Sequence, residues 1–399
     1  MRFDPPIRLA YLVSHPIQYQ APLLRRIAAE PDIDLTVFFC SDISTRPFRD
    51  QGFGRVLQWD VPLLDGYTHR FLPVWGPREP VTIWRPLTHG IARALDHGDF
   101  EALWVHSYAR LSNVTAMLAA RRRAIPILLR EEMNQFSTQR SELKRALKGI
   151  GMATLDRLVS AYLAIGSANR DYYQAHGIPE SRIFLMPYAV DNERFRSAAL
   201  AARGERVARK AEFGVPPERP VAAMAARLIE EKAPADLIAA WRLFVEKLPA
   251  DRRPFLLLIG DGPLRSSLEA TATGLDTVRF LGFRNQMELP LLYAITDLLV
   301  LPSVREPWGL VVNEAMAAGC AILASDRVGA AKDLVRDGIN GAVFPVGSVP
   351  ALAQSLERLF ADPDRLAAMG RQSLAIIAHW GFDEDVAGLR AALAATVRR

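Results

Sequence analysis

The chain has 399 residues, 49 Lys plus Arg against 44 Asp plus Glu, a formal charge of +5, and half of its residues are hydrophobic. That balance excludes wholesale disorder and supplies apolar surface for two or three domain cores. Two cysteines, Cys40 and Cys320, are too few for a disulfide scaffold or a structural zinc site and fit a reducing compartment.

The opening MRFDPPIRLAYLVSHP lacks the apolar stretch of a signal peptide, and no window reaches about 18 uncharged apolar residues. A cytoplasmic protein without a membrane span is expected. Predicted strands of the first half follow in order: Ile7–Val13, Leu35–Cys40, Ala102–Val105, Ile127–Leu129, Ala161–Ile165 and Ile183–Met186. The second half repeats the pattern with Val221–Ala225, Phe255–Ile259, Val278–Leu281, Leu298–Leu301, Ala321–Ala324 and Ala342–Phe344, and with helical stretches such as Ala233–Phe244 and Gly309–Ala318. Short apolar runs alternating with helices predict parallel βαβ units, and two sets of about six strands predict two Rossmann-like, doubly wound α/β domains. The turn-rich stretch Tyr188–Pro220 marks the boundary, and Phe382–Arg399 reads as one amphipathic helix.

The most informative segment is PSVREPWGLVVNEAMAAG, Pro302 to Gly319. Its helix is almost wholly apolar and must be buried on most sides, so Glu314 within it is unexpected. Glu306 precedes the helix in a loop. Were the span helical, the two acids would stand about 12 Å apart, which suits a ligand laid across a helix N-terminus able to hold phosphate. The plain alternative is two surface glutamates flanking a core helix. In ARLIEEKAPADLIAAW, Arg227 and Lys232 bracket a strand end, where two cations would neutralise a diphosphate; solvated loop charges are the competing reading.

IGDGPLR fails the dinucleotide fingerprint because Arg265 stands where its third Gly belongs, so Gly260 and Gly262 are read as a tight strand-to-helix turn. This argues against an NAD-dependent dehydrogenase. His15 and His106 each follow a predicted strand, as do Glu131 and Glu132. All four would stand at carboxyl strand ends, where doubly wound domains place ligands. The competing readings are a satisfied hydrogen-bonding histidine and a solvated acidic pair. No cluster with metal-ligand spacing is seen.

Taken together, these residues resemble the retaining, nucleotide-sugar-dependent glycosyltransferases of family 4, with the GT-B fold. The resemblance runs from about Ile7 to Pro345 and is carried by ARLIEEK, LLIGDGPLR, VRFLGF, EPWGLVVNE, DGINGAVFP and YAVDNERF. It implies two Rossmann-like domains facing across a cleft: 1–190 on the acceptor side, joined by a returning helix at 380–399, and 191–379 binding the donor. It further implies that Arg227 and Lys232 hold the donor diphosphate and that Glu306 bonds hydroxyls of the transferred sugar. Backbone amides around Trp308, Gly309 and Leu310 would touch sugar and phosphate, Glu314 the ribose, and Gly282, Phe283 and Arg284 the base, while His106 lies near the transferred sugar. Where relatives often carry a Gly-rich loop after the first strand, this chain has Ser14-His15-Pro16-Ile17-Gln18-Tyr19, which makes His15 or Gln18 a substitute on the acceptor side, with Glu131 nearby. The frequent Gly-Gly of the family is Gly329-Ala330 here.

The reading is therefore a retaining glycosyl transfer from a UDP-, GDP- or other nucleoside diphosphate sugar, with no metal or other cofactor expected. A nucleotide-sugar epimerase of the same fold and a nonenzymatic anion or nucleic-acid binder are the competing readings. Charge bears on the last: eight cations and three acids between Arg121 and Lys148 carry a net +5, equal to that of the whole chain. One patch points to a localised anionic partner rather than nucleic acid. In LKRALKGIGMATLDRLVSAYL cations alternate with apolar residues, as in a helix lying in lipid headgroups. A lipid-linked or cell-surface glycan acceptor and a peripheral position at the inner face of the cell membrane are the corresponding expectations.

Overall fold

The computed structural model describes residues 2–50, 54–134 and 155–397. The strands of the first half are β1 Ile7–Val13, β2 Ile33–Phe39, β3 Phe48–Asp50, β4 Arg55–Leu57, β5 Thr68–Phe71, β6 Val74–Trp75, β7 Leu87–Thr88, β8 Ala102–His106, β9 Ile127–Arg130, β10 Ala161–Ala164 and β11 Ile183–Leu185. Those of the second half are β12 Val221–Ala225, β13 Phe255–Ile259, β14 Val278–Gly282, β15 Leu298–Leu301, β16 Ala321–Ser325 and β17 Gly341–Phe344.

They build one seven-stranded sheet, β11-β10-β9-β8-β1-β2-β5, and one six-stranded sheet, β14-β13-β12-β15-β16-β17. All neighbours in both are parallel. Parallel strands are covered on both faces, which is why the sequence shows continuous apolar runs instead of alternation. Alternate residues nevertheless feed different layers. In the second sheet Met224, Leu258, Val300 and Leu323 meet Leu237, Trp241 and Phe244 of the helix Pro234–Val245. In the first, Leu12, Leu103 and Val105 pack on Met117 and Ala120 of the helix Leu111–Arg122. The opposite face, with Leu9, Tyr11 and Trp104, takes Val386, Leu389 and Leu393 of the helix Phe382–Thr396. Each side chain fully buried in this way contributes about 1.5–3 kcal/mol over exposure.

The C-terminal helix is also tied polarly. The Arg130 guanidinium lies 3.0 Å from Asp385 Oδ1 and donates to the carbonyls of Met186 and Pro187 at 2.9 and 3.0 Å. Burial pushes the Asp385 carboxyl up to about 7, against the pull of Arg130.

The chain forms two compact units. The first comprises Met1–Phe48, Val61–Tyr188 and Phe382–Arg399, and the second Arg49–Asp60 with Ala189–Gly381. Residues 49–60, expected within 1–190, thus group with the second unit. Two further differences concern strands. The second strand begins at Ile33 and ends at Phe39 instead of running Leu35–Cys40. The edge strand β5 had no counterpart in the prediction, because its sequence Thr-His-Arg-Phe carries no apolar run. The basic stretch from 135 to 148 lies outside the described residues. Among those described, no helix is long and apolar enough to cross a membrane.

Candidate functional site

In each sheet the strand order reverses beside the first strand, between β1 and β8 and between β12 and β15. Ligands of doubly wound folds bind outside the carboxyl ends of strands at such points. Both places carry polar clusters.

In the second unit, β12 leads to Arg227 and Lys232, and β15 leads to Glu306 and the helix Leu310–Ala317. Lys232 Nζ donates to Glu306 Oε2, which also lies 3.4 Å from Ser303 Oγ. Their side chains are only 21% and 12% exposed, so this pair is largely withdrawn from water. Arg227 is half exposed and lies 3.7 Å from Asp50, a residue the sequence reading did not connect with this place.

The loop that carries Glu306 is braced by its neighbour. Glu306 N donates to Arg327 O, Gly329 N to Glu306 O at 3.1 Å, and Ala330 N to Trp308 O at 2.9 Å. A Cβ on residue 329 would stand 2.1 Å from the Pro307 oxygen, so only glycine permits this approach, whereas Ala330 is accommodated in full burial. Gly309 sits at φ +97°, and a Cβ there would press on Leu301 and Glu306 at 3.0 and 3.1 Å. Beyond it the first N–H groups of the helix lack intrahelical partners and carry the positive end of its dipole. Leu310 opens the helix. The Trp308 side chain points elsewhere. Its Nε1 donates to Asn313 Oδ1 at 2.9 Å and its ring stacks on Trp380, 5.5 Å away and 10° from parallel.

Glu314 is buried on this helix between Val312, Ala315 and Met316. Tyr293 donates its hydroxyl to Glu314 Oε2 at 2.9 Å. Burial raises the carboxyl to about 7, opposed by that hydrogen bond and by the charge of Arg194.

Gly260 and Gly262 form the close turn read from IGDGPLR. Cβ atoms there would stand 1.9 Å from Ala226 O and 2.5 Å from Leu228 O. Gly282 ends β14 at φ +69° and accepts from Gly260 N at 2.8 Å. Phe283 lies under the Arg55 guanidinium, 5.5 Å from ring centre, and 6.4 Å from Trp59, while Arg284 donates to Glu288 at 2.9 Å. Asn285 Nδ2 donates to Gln58 O at 2.7 Å. Residues 55–60 therefore stand against residues 283–287, a contact invisible to reasoning along the chain because the partners lie over 200 residues apart.

In the first unit, Glu132 is the centre of the cluster. Tyr188 and Tyr19 donate to its Oε1, the latter at 3.2 Å, and His106 Nε2 lies 3.5 Å away. Burial opposes ionisation, yet the bonds and charge of His106 and the two tyrosines hold this carboxyl at about 2. Gln20 Nε2 lies 3.3 Å from His106 Nδ1 and Gln20 Oε1 accepts from Tyr11. The glutamine of this loop that reaches the histidine is thus Gln20, whereas Gln18 sits half-buried before the helix Ala21–Ala28. His15 Nδ1 is 2.9 Å from Ser14 Oγ; burial, Arg110 and His106 lower its pKa to about 4. Glu131 faces the backbone, taking N–H groups of Tyr108 and Glu132 at 3.3 and 3.0 Å. Among the described residues no three of His, Cys, Asp and Glu are grouped to hold a metal ion.

Similarity to known proteins meets this geometry. Residues 206–374 match the model of the family "Glycosyl transferases group 1". The D-inositol 3-phosphate glycosyltransferase of Salinispora arenicola is 30% identical over 318 residues, 75% of this chain and 69% of that protein. Its Nocardia farcinica counterpart is 31% identical over 247 residues, 60% of this chain. The chain spans about half the length of some of these relatives, 52% for Nocardia farcinica and 43% for Saccharomonospora viridis. Among solved structures, Anabaena Alr3699/HepE in complex with UDP and glucose superposes with a TM-score of 0.71 at 19% identity, covering 97% of this chain and 99% of that one. Sucrose-phosphate synthase from Thermosynechococcus elongatus gives 0.68 at 17% identity, covering 96% and 97%. The two parallel-sheet domains are those of the GT-B fold, and the chain belongs to the group 1 glycosyl transferases.

Proposed function

We propose that the protein transfers a sugar from a nucleoside diphosphate sugar to an acceptor hydroxyl with retention at the anomeric carbon. The observation that carries this reading is the withdrawn Lys232–Glu306 pair beside the N-terminus of the helix Leu310–Ala317. It sets a cation and a dipole against a diphosphate, and a carboxylate against sugar hydroxyls. Arg227 adds a second cation to the diphosphate, Glu314 receives the ribose hydroxyls, and residues 282–284 border the base. The UDP named with the Anabaena relative makes UDP-sugars the first donors to try.

In the reaction the bond between the anomeric carbon and the diphosphate oxygen breaks with its electron pair leaving on the diphosphate. Arg227, Lys232 and the helix dipole stabilise that charge. The acceptor oxygen bonds the same face of the anomeric carbon, and its proton passes to the departing diphosphate oxygen. Turnover without a divalent metal is part of this proposal, supported by the two cations and the helix N-terminus offered to the diphosphate, and full activity in EDTA is the result expected of it. His106 and Glu132, with their tyrosines, are hydroxyl-binding groups for a sugar.

For the acceptor, a lipid-linked or cell-surface glycan precursor remains the first reading, with the protein peripheral to the inner membrane face. The names of the relatives favour a second, a phosphorylated polyol such as D-inositol 3-phosphate. Incubation with UDP-, GDP- and ADP-sugars and each acceptor class, followed by NMR of the product anomer, decides both points. A product of inverted configuration refutes retention, and isomerised donor without acceptor identifies an epimerase instead.

A further inference from the structure

The second unit carries a hollow at the end of its sheet opposite to Arg227, Lys232 and Glu306. It lies where Asp297 leads into β15 and where Gly319 follows the helix Leu310–Ala317 ahead of β16. Its volume is about 340 Å³, within the range of small-molecule pockets. Three arginines, Arg203, Arg206 and Arg371, line it against one acid, Asp297. Arg206 donates to Asp297 at 2.7 Å and so cancels it. Among the described residues, no hydrogen bond or ion pair engages the side chain of Arg203 or Arg371. Two guanidinium charges are left without an acid. Both are held around Gly319. The Arg203 guanidinium reaches within 3.2 Å of where a Cβ on Gly319 would stand, and a Cβ on Gly370, the neighbour of Arg371, would stand 2.1 Å from the Gly319 oxygen. A cation beside the carboxyl end of a helix is accounted for by the helix dipole, which explains Arg203 alone. Arg371 stands in the middle of the helix Pro363–Ile377, where no helix end calls for a charge. The same helix adds Leu366 and Leu374 to the lining, an apolar wall beside the two cations.

We propose that this hollow binds a small phosphomonoester, its phosphate taken by Arg203 and Arg371 and its carbon body by the wall of Leu366 and Leu374. Guanidinium forks match phosphate oxygens two at a time, and a phosphomonoester brings close to two negative charges at neutral pH, equal to the two cations left over. The hollow is a second site, since it stands at the amino ends of strands whose carboxyl ends lead to the donor place. It is nevertheless joined to that place. Tyr293 belongs to its wall and donates its hydroxyl to Glu314, and the helix Leu310–Ala317 runs from the donor place to Gly319. An occupant therefore changes the affinity for donor, and the donor changes the affinity for the occupant by the same factor. This coupling rests on the donor reading of Glu314 given above, whereas the binding itself does not.

The test is titration calorimetry of the full chain saturated with UDP, which closes the donor place to phosphate. The probes are glucose 6-phosphate, glycerol 3-phosphate, glucose and inorganic phosphate. At least one ester is expected to bind, glucose is not, and inorganic phosphate binds at least ten-fold more weakly than the ester. An Arg203→Gln/Arg371→Gln variant should lose at least ten-fold in ester affinity while its affinity for UDP without ester stays that of the wild type, which also reports that the variant is folded. Absence of binding by both esters overturns the proposal, and so does ester binding unchanged in the double variant, which would move the ester to another place. Inorganic phosphate bound as tightly as the esters overturns the ester in favour of the free ion. Equal UDP affinity with and without ester overturns the coupling alone. Failure of the wild type to bind UDP counts against the donor reading, and the ester titration on the unsaturated chain then decides the hollow by itself.

Discussion

Tyr293 donates its hydroxyl to Glu314 Oε2 at 2.9 Å, and this bond is a polar contact from outside the helix to a carboxyl buried on a helix whose Val312, Ala315 and Met316 are buried as well. The bond lowers the pKa, but burial prevails and leaves it near 7. A carboxyl raised in this way binds its proton more tightly in the folded state. It therefore weakens the fold progressively as pH rises from about 4.5 to about 7, by on the order of 3 kcal/mol in total. Glu314→Gln removes that loss while keeping an acceptor for Tyr293. The variant should melt with the wild type at pH 5 and several degrees higher at pH 8. Equal melting differences at both pH values would show that Glu314 is not titrating between them.

Lys232→Ala should weaken binding of the nucleotide sugar ten-fold or more, since a hydrogen bond to a charged group is worth about 1.5–3 kcal/mol. It also strips Glu306 of its cation in a place withdrawn from water, so a lower melting temperature without donor is expected. Titration calorimetry with UDP and a UDP-sugar separates the two effects. Unchanged affinity for both would remove Lys232 from the site.

Much of the architecture was legible because parallel strands must be apolar throughout, and so each of the twelve expected strands stands out from its polar surroundings. Glu314 was legible for the converse reason, as a charge inside an apolar helix. What escaped was whatever depends on chain segments meeting. Tyr293, 21 residues from Glu314, has no local signature, and Glu132 gains its place from Tyr19, His106 and Tyr188, spread over most of the first unit. Asp50 reaches Arg227 only because residues 49–60 fold with the second unit. Which of two loop residues one or two positions apart finds a given partner, Gln20 against Gln18 for His106 and Glu132 against Glu131 for the tyrosines, is likewise set by tertiary packing rather than by residue type.

Gly329→Ala tests the bracing of the loop that carries Glu306. Its Cβ would meet the Pro307 oxygen at 2.1 Å, and backbone cannot yield as a flexible side chain does. The 328–330 segment must withdraw, releasing the bonds from Gly329 and Ala330 to the oxygens of Glu306 and Trp308. Turnover should fall at least ten-fold with loss of donor affinity, and the melting temperature should drop. Wild-type kinetics in this variant would mean that the loop is held by other contacts.

Glu132 and Glu314 make opposite predictions for the pH profile of turnover. Glu132 is held at about 2, so it is ionised throughout the working range, and its contribution to stability appears above its unfolded pKa of about 4.5 and disappears only as pH falls towards 2. His15, lowered to about 4, is likewise uncharged at neutral pH. Neither group produces a kinetic limb between pH 5 and 8, whereas Glu314, near 7, does if its carboxylate receives the ribose hydroxyls. Turnover per unit donor concentration should therefore rise through pH 6–8 in the wild type. Glu132→Gln should lower the rate at least ten-fold at every pH and keep that rise, because Tyr19 and Tyr188 lose a charged acceptor while Glu314 is untouched. Glu314→Gln should flatten it. A rise abolished by Glu132→Gln and retained in Glu314→Gln would reverse the two assignments and move the titrating carboxylate to the first unit.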